Sequence, residues 1–82
     1  MNITIYSTAT CGFCKMIKKY LDEHKISYVE KMADSDEKIA MELYEKSKQF
    51  AVPFTVIEKD DGKVENILGF DVPKLNSVLG IK

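Results

Sequence analysis

The sequence carries no excess of charge of either sign: twelve Lys and Arg stand against thirteen Asp and Glu, a formal net charge of −1. Nucleic acid and anionic membrane surfaces are therefore poor partners, because both select a basic face that neutralises phosphate. Long apolar runs are also missing. No uncharged stretch reaches the roughly 20 residues that a helix needs to cross a bilayer, so no membrane partner is expected. The start, Met1-Asn2-Ile3-Thr4-Ile5, lacks a basic segment, a long apolar core and a cleavage site. No secretory signal is read there, and the expected location is cytoplasmic. Histidine occurs once, as His24, and cysteine twice. A structural zinc site needs four such ligands, so no metal site is expected. Internal repeats, linkers and low-complexity segments are absent. What is present, 82 residues with 45% apolar and 30% charged side chains, reads as one domain over residues 1–82. A chain this short buries roughly 60% of the surface its unfolded form exposes. There is no room for a cofactor domain beside a substrate domain.

The two cysteines stand together as Cys11-Gly12-Phe13-Cys14. As a structural staple the pair is poorly placed. A bridge closing about four residues contributes only about 2 kcal/mol in the chain-entropy model, against about 3 for a 15-residue loop. Structural bridges are also rare in a reducing cytosol.

The surrounding pattern gives the pair a context. Asn2-Ile3-Thr4-Ile5-Tyr6 alternates and is rich in β-branched residues, which predicts a strand. Cys14, Ile17, Leu21 and His24 fall on one face of a helix over residues 13–25. Ile26-Ser27-Tyr28-Val29-Glu30 reads as a second strand. Asp34-Ser35-Asp36-Glu37 suits a helix start, with Ile39, Leu43, Tyr44 and Phe50 on the apolar stripe of the helix behind it. That helix must stop before Pro53, since the residue ahead of a proline disfavours helical backbone. Phe54-Thr55-Val56-Ile57-Glu58 is a strand, Asp60-Asp61-Gly62 a hairpin signal, and Lys63 to Leu68 the returning strand. Gly69-Phe70 breaks it. Asp71 then caps a last helix, with Pro73 in its first turn and Val72, Leu75, Val78 and Leu79 facing inward. The order is βαβαββα. It predicts an α/β fold with a right-handed parallel βαβ half, an antiparallel hairpin half, and one four-stranded mixed sheet flanked by three helices.

In this order Cys-x-x-Cys follows a strand and opens a helix. The first-turn N–H groups of a helix are unpaired and carry partial positive charge. A thiolate at Cys11 is stabilised there, which lowers its pKa below the free value of about 8.5. Cys14, one turn on and on the apolar stripe, is expected to be buried. The two thiols then have different tasks. Cys11 attacks a disulfide, and Cys14 resolves the mixed disulfide from a high effective concentration. His24 lies too far along the helix to join them and reads as helix surface.

The sequence resembles the glutaredoxins over essentially its whole length. The resemblance rests on Cys11-Gly12-Phe13-Cys14 after the first strand, Val52-Pro53 before the third, and Gly69-Phe70-Asp71 before the last helix. It implies the minimal thioredoxin fold, a cis Pro53 facing the cysteine pair, and glutathione as co-substrate with no tightly bound cofactor. It further implies that Phe13 packs on the bound tripeptide and that Val52 hydrogen-bonds its cysteinyl unit. Gly69, Phe70 and Asp71 would receive the γ-glutamyl end, and Gln49 the glycine carboxylate. The residues also leave plainer roles open: Phe13 as a shield for Cys14, Asp71 as a cap and Gln49 as helix surface. Some family features differ. Thr8 stands where a lysine is usual, and Ala51-Val52-Pro53 where Thr-Val-Pro is. Leu68-Gly69 replaces Gly-Gly, and Val72 replaces a second acid. These changes remove a cation and polar contacts at the carboxylate ends of glutathione. The expected function is a glutathione-dependent thiol–disulfide oxidoreductase, a monomer acting on glutathionylated or disulfide proteins. Reduction by a thioredoxin reductase, with ribonucleotide reductase as partner, is the first alternative. A [2Fe–2S] carrier is the second, because Cys-Gly-Phe-Cys differs by one residue from the motif of cluster-binding relatives.

Overall fold

The computed structural model describes residues 1–80. Its elements follow the order expected: β1 Asn2–Ser7, α1 Gly12–Glu23, β2 Val29–Met32, α2 Glu37–Ser47, β3 Phe54–Glu58, β4 Val64–Leu68 and α3 Val72–Leu79. The four strands form one sheet in the order β2-β1-β3-β4. β1 runs parallel to β2 (Thr4 opposite Val29) and antiparallel to β3 (Tyr6 opposite Phe54), and β3 runs antiparallel to β4. This is the thioredoxin fold.

Each sheet face carries its own core. On one face Ile3, Ile5, Ile57 and Ile67 meet Ile17 and Leu21 of α1 and Leu75 of α3. On the other, Tyr6, Phe54 and Val56 meet Leu43 of α2. The alternation along β1 and β3 thus feeds both cores, because successive side chains point to opposite faces. Leu43 is fully buried on α2; truncating such a residue to Ala costs about 2–5 kcal/mol.

Two sequence expectations need correction. The second strand begins at Val29, not at Ile26. α1 ends with Lys25 in left-handed backbone (φ 56°), and the Ile26 N–H returns 2.9 Å to the Leu21 carbonyl. Ile26 thus closes the helix and packs on the core instead of pairing in the sheet. His24, expected at the helix surface, is the C-cap of α1 and exposed. The stripe expected to run through Phe50 is cut short. Lys48 takes left-handed backbone (φ 64°) and its N–H bonds Tyr44 O at 2.7 Å, which ends α2 at Ser47. Phe50 lies outside the helix and is 61% exposed. On α3 only Leu75 is fully buried, while Val72, Val78 and Leu79 are half-buried. The hairpin turns through Gly62 at φ 89°, with Lys59 N–H to Lys63 O at 2.8 Å.

Candidate active site

The topology gathers three sequence segments at one end of the sheet. β1 ends there, β3 starts there and β4 ends there. Residues 8–14, 48–53 and 69–71 are therefore neighbours across the strand ends.

Cys11 is the N-cap of α1, in extended backbone. Its Sγ accepts the Cys14 N–H at 3.1 Å, so the helix N-terminus presents a donor to this sulfur. Cys11 is half-buried, whereas Cys14 is 1% exposed. The two are joined as a disulfide with Cα atoms 5.2 Å apart. One sulfur within reach of solvent and one sealed against the core is the asymmetry that an attacking and a resolving thiol require.

The loop leading to Cys11 is held from β2 and the chain just after it. The buried Ser7 hydroxyl donates to Glu30 Oε2 at 2.7 Å, and Lys18 Nζ of α1 meets the same oxygen at 2.6 Å. The Lys18 ammonium and the Ser7 hydroxyl together hold the Glu30 carboxyl below its usual value. The Ser7 carbonyl takes the Ala33 N–H at 2.8 Å, and the Asp34 carboxylate takes the Ala9 N–H at 2.9 Å. In the sequence Asp34 falls in a helix-capping cluster. Asp36 alone makes that cap, to Lys38 N–H, and Asp34 reaches across to the cysteine loop. Its partner is 25 residues away, beyond any local sequence signal. Beneath the other face, burial and then the nearby Glu42 carboxylate push the Tyr6 hydroxyl well above its ordinary pKa. Lys31 bonds Glu42 at 3.2 Å and stands 5.8 Å over the Tyr6 ring.

The Val52–Pro53 peptide bond is cis. Pro53 is buried and its carbonyl accepts the Gly69 N–H at 2.8 Å, which ties this turn to the entry of α3. Gly69 itself sits at φ 78°, a backbone region that favours glycine. The Val52 N–H and carbonyl take no partner among the described residues, nor do the N–H groups of Phe70 and Asp71.

The other side chains singled out in the sequence divide. Phe13 is 62% exposed, in the segment between the two cysteines. Asp71 caps α3, its Oδ1 accepting the Lys74 N–H at 3.2 Å. The Phe70 ring turns inward, edge-on to Tyr20 at 6.3 Å. Gln49 is exposed, and its backbone is held by the Ser47 hydroxyl (2.7 and 3.3 Å). The Gln49 side chain makes no hydrogen bond among the described residues.

Known proteins agree with this geometry. The chain is 36% identical over 77 residues to the glutaredoxin-like 8.6 kDa protein of the rubredoxin operon of Clostridium pasteurianum, covering 94% of this chain and 96% of that one. It is 37% identical over 59 residues to the glutaredoxin-like protein NrdH of Lactococcus lactis, covering 72% and 78%. A crystal structure of a mutant of the thioredoxin-like protein BC3987 superposes with a TM-score of 0.83 at 27% identity, over 99% of this chain and 97% of that one. The family model of the glutaredoxins matches residues 3–61. With its cysteine pair at the head of α1 and the cis-proline turn at the same sheet end, the chain belongs to the glutaredoxin family.

Proposed function

We propose that the chain reduces protein disulfides by dithiol exchange, with Cys11 attacking and Cys14 resolving. The observation that carries this reading is the asymmetry of the pair: Cys11 is half-buried at a helix N-cap with an N–H aimed at its sulfur, and Cys14 is 1% exposed. In the reduced protein the Cys11 thiolate attacks one sulfur of a substrate disulfide. An S–S bond forms to Cys11, and the other substrate sulfur leaves as a thiolate and takes a proton. The Cys14 thiolate then attacks Cys11 Sγ and expels the second substrate thiolate. Two electrons pass from the dithiol to the substrate, and the Cys11–Cys14 disulfide remains. No resident cofactor is needed, because the thiols carry the electrons.

Two reductants suit this site, each on a specific observation. Glutathione is favoured by the unpartnered main chain of Val52 and the open N–H groups of Phe70 and Asp71, which suit an extended, carboxylate-bearing thiol peptide. A thioredoxin reductase, with ribonucleotide reductase as the electron acceptor, is favoured by the NrdH relative. Thr8 adds to the second reading, since the Asp34 carboxylate stands by the next residue where glutathione would need a cation.

Replacement of each cysteine tests the roles. Cys11→Ser is expected to abolish exchange. Cys14→Ser should still form a mixed disulfide but fail to release a protein substrate. An inactive Cys14→Ser beside an active Cys11→Ser overturns the assignment. Turnover of one disulfide substrate with glutathione against thioredoxin reductase decides the reductant.

A further inference from the structure

Resolution requires a proton to leave Cys14, yet Cys14 is 1% exposed and sealed from solvent. The fold sets a polar group beneath it. α1 runs back over β1, so that Leu21 and Ile17 pack with Ile3 and Ile5. One turn before Ile17, toward the helix N-terminus, stands Cys14. Two residues beyond Ile5, on the same sheet face and 0% exposed, stands Ser7. A helical turn advances about 5.4 Å and a two-residue strand step about 6.6 Å, so the register places Cys14 over Ser7.

Ser7 begins a chain of polar groups that ends at water. Its hydroxyl donates to Glu30 Oε2 at 2.7 Å, with Met32 Sδ at 3.2 Å as a second neighbour. The same oxygen accepts no hydrogen bond among the described residues, which leaves a lone pair for the thiol above it. Glu30 stands opposite Ile5 in the parallel register and so faces α1. Its side chain is 28% exposed and meets Lys18 Nζ at 2.6 Å. Lys18 is four residues beyond Cys14 on α1, and long helical side chains lean back over the preceding turn. That lean carries the ammonium toward Cys14.

We propose that Ser7 and Glu30 relay the Cys14 proton to solvent during resolution. The Cys14 S–H gives its proton to Ser7 Oγ as the Ser7 hydroxyl gives its own to Glu30 Oε2. The product is a Cys14 thiolate that accepts a hydrogen bond from Ser7, beside a neutral Glu30 and the Lys18 ammonium. The net charge of the cluster is the same before and after. No uncompensated charge is buried, and that cost is what otherwise keeps a sealed thiol neutral. The thiolate electron pair then forms the bond to Cys11 Sγ and expels the substrate thiolate, while Glu30 passes the proton to water at its exposed side. The inference rests on the dithiol-exchange reading and adds the residues that ionise its resolving thiol.

The test uses the reduced full chain and one equivalent of the aromatic disulfide DTNB, followed by stopped-flow absorbance. Attack by Cys11 releases the first coloured thiolate in a phase whose rate follows the DTNB concentration. Resolution by Cys14 releases the second in a phase that does not. The other titratable groups facing Glu30 are Lys18 of α1 and Tyr28, whose hydroxyl is pushed up by burial and then by Asp22 of α1 and stays neutral throughout. The internal transfer consumes no solvent proton, so the parent's second phase is expected to stay level as the pH is varied about neutrality. In Ser7→Ala and Glu30→Gln the thiol must ionise to solvent. Their second phase should climb about tenfold per pH unit and lie about a hundredfold below the parent's at about pH 6. The first phase is expected to keep the parent's rate in both variants, which also shows that they fold. A second phase that keeps the parent's level profile in either variant overturns the inference. So does a parent profile with the variants' slope, or a slowing of both phases alike. A parent that releases a single coloured thiolate per chain refutes instead the exchange reading on which it rests.

Discussion

Thr55 lies in the middle of β3, between Ile5 and Ile67 across the sheet, and is fully buried. Its Oγ1 takes no hydrogen-bond partner among the described residues. A hydroxyl taken from water without replacement costs about 1–3 kcal/mol. Thr55→Val keeps the branched shape and removes the orphan, and Val is at least as good a strand residue. The variant should therefore be more stable by about 1 kcal/mol or more, which for a domain of this size raises the melting temperature by about 4–8 °C. Thr55→Ser makes the opposite change. It keeps the hydroxyl and deletes a packed methyl, so it should lose about 1 kcal/mol. Urea unfolding of the three oxidised proteins measures both changes at a common m-value. A Thr55→Val midpoint at or below the parent's refutes the reasoning, because it shows that the hydroxyl is satisfied in solution.

Three further outcomes are expected. Asp71→Ala should lose about 1 kcal/mol of stability with the α3 cap, while Asp71→Asn should keep it; equal losses in the two variants count against the cap. Glu30 has a folded pKa below its ordinary 4.5, so its contribution is complete above that value and lost as the pH falls through the folded one. Glu30→Gln should therefore lose up to about 1 kcal/mol at neutral pH, and flatten the acid limb of the stability–pH curve. An unchanged acid limb contradicts the Lys18–Glu30–Ser7 account. In the reduced protein, the ultraviolet absorbance of the Cys11 thiolate should titrate below the free thiol value of about 8.5. A midpoint at or above that value removes the helix N-terminus from the mechanism.

The element order was legible because each element carries its own period or stop signal. The Ile3–Ile5 alternation, the Cys14–Ile17–Leu21 spacing, Asp61-Gly62 and the Asp71 cap are all local. The errors arose where termination used no glycine. Lys25 and Lys48 both adopt left-handed backbone, a conformation uncommon in side-chain-bearing residues. Without a glycine to mark the stops, the pattern extends the second strand back to Ile26 and the second helix on to Phe50. In the site, the unequal burial of Cys11 and Cys14 followed from the helix position alone. Asp34 could not be found that way, because its role is a contact across the sheet end with Ala9. The solvent-facing stack of Phe50 on Tyr44 is hidden for the same reason as the early end of α2: a buried apolar stripe and an exposed aromatic pair have the same composition.

The placement of β3 beside β1 has a consequence for how this chain comes of age. Both cysteines lie in the first part of the chain, yet the cis-proline turn and the entry of α3 arrive only with β3 and β4. A nascent or half-folded chain therefore owns its thiols before it owns the groove beside them. Only the non-local docking of the β3–β4 hairpin on the free edge of β1 completes the site, and such long-range pairings form late because loop closure must precede their reward. On the exchange reading, a chain that has not yet docked its second half holds both thiols without the cis-proline turn or the Gly69–Asp71 segment beside them.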